Sequence, residues 1–391
     1  MNTELLLPAG DFQRLKFAFL YGADAVYLGG RDFSLRANNK NFSVFEIKKA
    51  VEYAHKLNKK VYVTLNIVFH NSDLKKLKKY LISLYNINVD AVIISDLFLL
   101  DYIKEVVPNL EIHLSTQQSV LNYESAKFFK NENVERIVLG RELNKKEIQE
   151  IIKKSKIDIE VFIHGAMCVS YSGRCVLSNY YTNRDSNRGG CSQVCRWNFD
   201  LFDNDKKINT NDFKIALKDL SMAKYIKDLI DINVKSLKVE GRMRSVYYVA
   251  TVAYIYRKII DNEFNEDYEY ELYRCANREA VSHYFNKKVD ENEQYYNDRE
   301  EPSNKDFLGL VLEYKNNEII LEQRNYFKKG DYITIFGPKT DKFSFKVEYI
   351  KDIENNVIDV GRHPKQILKI PCNKRVYKDD IIRVKFDIDI L

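Results

Sequence analysis

No uncharged apolar run in this sequence approaches the roughly 20 residues of a membrane span, so a transmembrane helix is excluded. The opening MNTELLLPAGDFQRL has no basic segment leading into an apolar core; no secretory leader is expected, and the cytoplasm is the expected compartment. Neither sign of charge dominates. With 62 basic against 56 acidic residues, nucleic-acid binding is permitted but not dictated. The 6 histidines include no HExxH pair, which excludes a zincin, and there is no GxSxG elbow. No GxGxxG follows the first apolar run, which weakens a dinucleotide-binding reading. The paired CxxC knuckles usual in structural zinc sites are missing too.

What the sequence does hold is one long irregular stretch, Glu160 to Trp197, reading EVFIHGAMCVSYSGRCVLSNYYTNRDSNRGGCSQVCRW. It starts as an apolar strand and breaks at His164-Gly165. Four of the 6 cysteines lie in it, Cys168, Cys175, Cys191 and Cys195, together with the single tryptophan, Trp197. Long irregular segments of compact domains are usually functional or disordered, and the buried-type residues here (Met167, Val169, Val176, Leu177) argue against disorder. In a reducing compartment clustered cysteines read as metal ligands or catalytic thiols rather than disulfides.

At 391 residues and 45% hydrophobic, the chain is expected to form one large domain and one small one. Apolar runs alternate with amphipathic helical segments. The runs at Leu5–Leu7, Ala25–Leu28, Lys60–Asn66, Ala91–Asp96, Glu111–Thr116, Arg136–Gly140, Asp158–Ile163 and Ser236–Val239 predict eight parallel strands. A further strand is expected at Phe213–Leu217 and a helix at Met222–Ile230. This rhythm predicts a (β/α)8 TIM-like barrel over 1–262, with the long cysteine-bearing loop, 164–197, after strand 7. A helical connector is expected over 263–305. From 306 to 391 short alternating runs separated by turns predict a small C-terminal antiparallel β-barrel.

In such a barrel chemistry sits at the C-terminal strand ends, which here carry Arg141-Glu142, His164, Lys218-Asp219 and Glu240-Gly241-Arg242. His164, Glu240, Arg242, Arg141 and Glu142 are therefore the candidate catalytic residues. Each has a plain structural alternative: a turn cap for His164, ion pairs across the mouth for the others. The cysteine spacing, Cys-x6-Cys-x15-Cys-x3-Cys, suits an iron–sulfur cluster. Zinc and buried free thiols are the alternatives. The radical-SAM arrangement is missing, because Asn198 stands where a third closely spaced cysteine would be. Arg174, Arg184, Arg188 and Arg196 are interleaved with Tyr171, Tyr180 and Tyr181, a mixture that suits a single-stranded RNA loop, though a solvated surface reads similarly. Arg184, Arg188 and Tyr180, with Lys328 and Lys329 further on, are the candidate RNA-binding residues.

The run HGAMCVSYSGRCVLSNYYTNRDSNRGGCSQVCRW resembles the signature of the collagenase-like peptidase U-32 family, as do ELLLPAG, YGADAVYLGG, HLSTQQSVLN, VLGREL and SLKVEGR. The resemblance spans about 1–285. NRDSNRGGCSQVCRW and YRCANREA are similar to the branch that makes 5-hydroxyuridine at the tRNA wobble position. It implies an iron–sulfur cluster, of the [4Fe-4S] type, on the four loop cysteines, the fourth ligand being the least fixed among relatives. It also implies a tRNA anticodon loop as partner, prephenate as hydroxyl donor, and an electron donor. A peptidase, after the family's name, and a non-enzymatic cluster-bearing scaffold are the competing readings.

Overall fold

The computed structural model describes residues 3–35, 41–208, 213–276, 278–296 and 303–386. They fall into two compact units. The first comprises 1–19, 23–244 and 279–298; the second comprises 20–22, 245–278 and 299–391.

The first unit is built on a closed parallel barrel of eight strands: Glu4–Pro8, Ala25–Gly29, Lys60–Leu65, Ala91–Ile94, Glu111–Leu114, Arg136–Val138, Asp158–Gly165 and Ser236–Val239. Each pairs with the next in chain order from the first to the seventh. The eighth closes the ring, with Glu4 opposite Ser236 on one side and Ser236 opposite Glu160 on the other. Helices follow the strands as the amphipathic pattern predicts. Two of them, Val44–His55 and Lys145–Ser155, begin with full capping boxes, Ser43 with Glu46 and Asn144 with Glu147, which satisfy orphan N–H groups of the first turn.

The barrel is filled rather than hollow. Leu6, Ala25, Tyr27, Tyr62, Ala91 and Ile93 form an apolar layer. Beneath and beside it runs a charged network. Arg136 donates to Glu4 at 2.6 Å and to Glu160 at 3.2 Å, Lys238 donates to Glu160 at 2.7 Å, and Tyr62 and Ser236 donate to Glu4 at 2.7 and 2.9 Å. Two carboxylates thus meet two cations inside the barrel, and hydroxyls take up remaining acceptor capacity, the condition for burying charge at tolerable cost. The sequence pattern alone reads these strands as apolar; alternating positions carry the ions inward.

Three expectations are corrected. Phe213–Leu217 is not a strand but two isolated bridges, Phe199–Phe213 and Leu217–Gln294; the extra strand is Asp219–Ser221, which runs antiparallel to the end of the seventh barrel strand. The helix expected at Met222–Ile230 is a 3-10 turn, Ala223–Tyr225, followed by Ile226–Asp231. Within the expected helical connector only Asp267–Ala276 is an α-helix before Ser303 among the described residues. The segment after it instead pairs Ala280–Val281 with Asp219–Ser221, as part of the first unit. Sequence distance hid that return.

In the second unit the helices Val246–Ile260 and Asp267–Ala276 belong with an eight-stranded antiparallel sheet that packs around Leu308, Val311, Ile319, Leu321, Ile333, Ile335 and Leu368. The sheet includes Ile367–Pro371, a strand the sequence reading passed over. Among the described residues no pairing joins its two edges, so an open antiparallel sheet stands where a closed β-barrel was expected. Among the described residues no helix is long and apolar enough to cross a membrane.

Candidate functional site

The seventh strand is the longest of the barrel and ends at Gly165, whose φ of +110° suits glycine; a Cβ there would overlap the Glu240 carbonyl. His164 just before it is 1% exposed. Burial and then the nearby Arg244 push its imidazole down to about 3, so it is neutral at physiological pH. Arg244 is itself drawn to Asp219, 3.2 Å away, and Asp219 sits on the added strand opposite this strand end.

Beyond Gly165 the chain makes short turns instead of regular structure: 3-10 turns at Tyr171–Gly173, Ser186–Arg188 and Val194–Arg196, and one short helix, Leu177–Thr182. Side chains hold the loop together. Asn187 brackets Cys175, accepting from its N–H at 3.3 Å and donating to its carbonyl at 2.9 Å. Ser178 accepts from the Ser192 N–H at 2.9 Å, and the Ile215 N–H donates to the Cys195 carbonyl at 3.1 Å. Glu142 pins the loop from the barrel side, accepting from the Ser172 N–H at 2.7 Å and its hydroxyl at 3.2 Å. Arg188 pins it from another side, donating to both oxygens of Asp73 and to the Val68 carbonyl, and holds the Asp73 carboxyl below its ordinary range.

These restraints bring the four thiols together. All are free of disulfides. Cys195 feels the charges of Cys168, Cys191 and Cys175, and Cys168 those of Cys175 and Cys191. Among the described residues no three His, Cys, Asp or Glu side chains are drawn tightly enough to hold one metal ion. A single zinc ion gathers thiolates at about 2.3 Å from one centre, whereas each thiolate of an iron–sulfur cluster meets a different iron and the sulfurs stand farther apart. Burial pushes the Cys168 and Cys195 thiols up, while Arg141 near Cys168 and Arg196 near Cys195 favour the thiolate. The Leu177 N–H points at the Cys175 sulfur, 3.4 Å away, a contact of the kind that tunes ligating thiolates.

The remaining candidates ring the same end of the barrel. The Arg141 guanidinium lies 3.9 Å from the Phe162 ring centroid and donates to the Ala166 carbonyl at 2.8 Å. Glu240, half-buried, accepts from the Tyr27 hydroxyl at 2.9 Å. Arg242 is buried and donates to Ser34, Thr64 and Asn41 at 2.8, 3.2 and 2.9 Å. Arg242 explains two glycine motifs. A Cβ at Gly10 would overlap its carbonyl, and one at Gly29 its guanidinium. Arg184 and Tyr180 are exposed on the loop, and Lys328 and Lys329 are exposed in the second unit. An open cleft of about 640 Å³ adjoins Cys175, walled by Val68, Val169, Val176, Leu177 and Ile215 with Arg174 and Asn187 as polar groups.

Against this geometry, a model of peptidase family U32 matches residues 10–295, and one of the peptidase family U32 C-terminal domain matches residues 303–383. This chain belongs to peptidase family U32. The U32 chain is 43% identical over 399 residues to tRNA hydroxylation protein P1 of Bacillus subtilis, covering 98% of this chain and 94% of that protein. It is 36% identical over 381 residues to an uncharacterized protease of Methanocaldococcus jannaschii, covering 92% of each. It is 39% identical over 261 residues to the 23S rRNA 5-hydroxycytidine synthase of Escherichia coli, covering 66% of this chain and 39% of that protein.

Several residues that shape this U32 site gave no signal in the sequence. Asp73 lies 115 positions from Arg188, and Tyr27 lies 213 from Glu240. The returning segment brings His283, 1% exposed, to the Lys218 carbonyl at 3.0 Å, and its neighbour Tyr284 feels the charge of Glu142. Lys218 pairs with Glu279 at 2.7 Å, and Asp219 begins the added strand and holds Arg244. Only the Asn and Asp of NRDSNRGG offered a local clue, as turn formers.

Proposed function

We propose that this chain hydroxylates a pyrimidine of RNA, converting the wobble uridine of a tRNA anticodon loop to 5-hydroxyuridine. The observation that carries the reading is the gathering of four thiols beside a polar barrel mouth, in a chain whose relative over nearly its whole length is named for tRNA hydroxylation. In this reading Cys168, Cys175, Cys191 and Cys195 hold a [4Fe-4S] cluster, which supplies redox chemistry at the mouth. Arg141 keeps positive charge beside the thiolates. Glu240, oriented by Tyr27, is the carboxylate available to take the proton from the ring carbon, with neutral His164 beside it as a hydrogen-bonding group. Arg242 braces the surrounding loops rather than reaching for substrate. Replacing a ring C–H by C–OH takes two electrons from the base, so the hydroxyl donor must accept them; prephenate is the donor proposed, with a separate electron carrier to set the cluster's redox state. A tRNA substrate places the chain in the cytoplasm.

The peptidase reading draws on names alone. Nucleoside mass spectrometry of tRNA from a deletion strain tests the proposal. Hydroxylated uridines disappear and return with the wild-type gene but not with Cys168→Ala. An unchanged nucleoside profile, with purified protein that cleaves gelatin in a Cys168-dependent way, would put the peptidase in its place.

A further inference from the structure

The cysteine loop leaves several aromatic rings exposed. Tyr180 is 83% exposed, Tyr181 58% and Trp197 43%. Contiguous apolar surface of this kind on a folded domain usually marks an interaction site. Three of the rings on the loop form a unit. Tyr181 meets Trp197 at 6.2 Å between centroids and 80° between planes, and meets Phe199 at 6.0 Å and 71°. An edge-to-face contact occupies at most one face of a ring, and Trp197 remains exposed beside Tyr181.

The rings are also held in place before anything binds. The Trp197 N–H donates to the Val194 carbonyl at 2.9 Å. Phe199 and Phe213 exchange two backbone hydrogen bonds, at 2.8 and 3.0 Å. Tyr181 stands on the short helix Leu177–Thr182, whose Thr182 hydroxyl donates to the Ser178 carbonyl at 2.8 Å. Trp197 is two residues from Cys195, so the rings flank the thiol cluster directly.

The surrounding charge selects the occupant. Between Tyr171 and Trp197 the chain carries four arginines and one aspartate. Arg188 is committed to Asp73, but Arg184 is exposed and Arg196 is steadied by the Gln193 side-chain oxygen at 2.6 Å. Rings interleaved with arginines match the bases and phosphates of an unpaired strand. We propose that Trp197, Tyr181 and Phe199 form the base-stacking platform of this chain, taking unpaired bases of a single-stranded RNA loop beside the cysteine cluster. The proposal rests on the RNA reading above and deepens it, by moving the loop's grip from Arg188 to the rings.

Trp197 is the single tryptophan, so its emission reports on this site and no other. A synthetic anticodon stem–loop is titrated into the intact protein, with Trp197 emission and the anisotropy of labelled RNA followed together. Quenching that saturates with binding is expected, and little from a blunt RNA duplex of the same length. Trp197→Ala should weaken stem–loop binding about tenfold, and Trp197→Phe, which keeps a ring, by no more than about twofold. If the stem–loop binds while Trp197 emission and Trp197→Ala affinity stay unchanged, the platform is wrong and the RNA reading survives. If the duplex quenches as strongly as the stem–loop, the single-stranded specificity is wrong. If neither RNA binds, the RNA reading itself falls, and the platform with it.

Discussion

The Glu160 carboxylate, fully enclosed in the barrel, accepts from the Lys238 ammonium at 2.7 Å across the seventh and eighth strands. Its other oxygen takes Arg136 at 3.2 Å. Removing one member of such a network strands the others. Glu160→Gln is expected to cost about 3–5 kcal/mol in urea unfolding, more than a surface pair would. Burial raises the Glu160 carboxyl, but Lys238 and Arg136 outweigh it and hold it at about 2. That is below the ordinary value of 4.5, so the contribution is intact above pH 4.5 and is lost as pH falls towards 2. A Glu160→Gln protein as stable as wild type at neutral pH would show that the network adds nothing.

His164 should not titrate between pH 5 and 8. Its folded value, about 3, lies below the ordinary 6.5, so the unfolded chain takes up the proton first and stability declines as pH falls from 6.5 towards 3. Proton–nitrogen spectra of histidine-labelled protein check this directly. A His164 resonance that titrates near 6.5 would rule out a neutral buried imidazole at the strand end.

Iron content should follow the loop cysteines. Anaerobically reconstituted wild type is expected to be brown and to carry iron with acid-labile sulfide, and Cys168→Ala or Cys175→Ala to lose most of both. Cys275→Ala and Cys372→Ala, whose thiols donate to the Leu272 and Lys374 carbonyls, should lose neither. Stoichiometric zinc without iron after reconstitution would end the cluster proposal.

Gly29→Ala should disturb the mouth without touching the thiols. The added methyl would overlap both the Ser34 hydroxyl and the Arg242 guanidinium, and overpacking of this kind costs about 1–3 kcal/mol. The expected outcome is a lower thermal midpoint with unchanged iron content. Equal midpoints would mean that Arg242 can leave its place between Ser34, Thr64 and Asn41 at no cost.

Lys328 and Lys329 are exposed in the second unit, where a phosphate backbone could reach them. Lys328→Glu and Lys329→Glu should each weaken tRNA binding at low salt and flatten the slope of log affinity against log salt by about 1. Unaltered slopes would remove the β-sheet unit from the RNA-binding surface.

The barrel and the irregular loop are legible in the residue pattern alone. Eight apolar runs alternating with amphipathic segments have few ways to bury themselves except as a parallel sheet that closes, and all eight were placed within a few residues of their observed bounds. Four cysteines on one irregular stretch likewise pointed to a single centre, because they are near in the chain and their chemistry is shared. What only the tertiary structure decided are relations between distant positions. Arg188, read from its neighbours as an RNA contact, is engaged by Asp73 from the first turn of the helix Asn71–Asn86. Asp219, placed at a strand end by the pattern, instead begins the added strand and is held by Arg244. The charges inside the barrel were invisible because a two-residue period tells which face a side chain takes, not which partner it meets there. Glu160, Lys238, Arg136 and Glu4 come from four strands, and no local pattern could pair them.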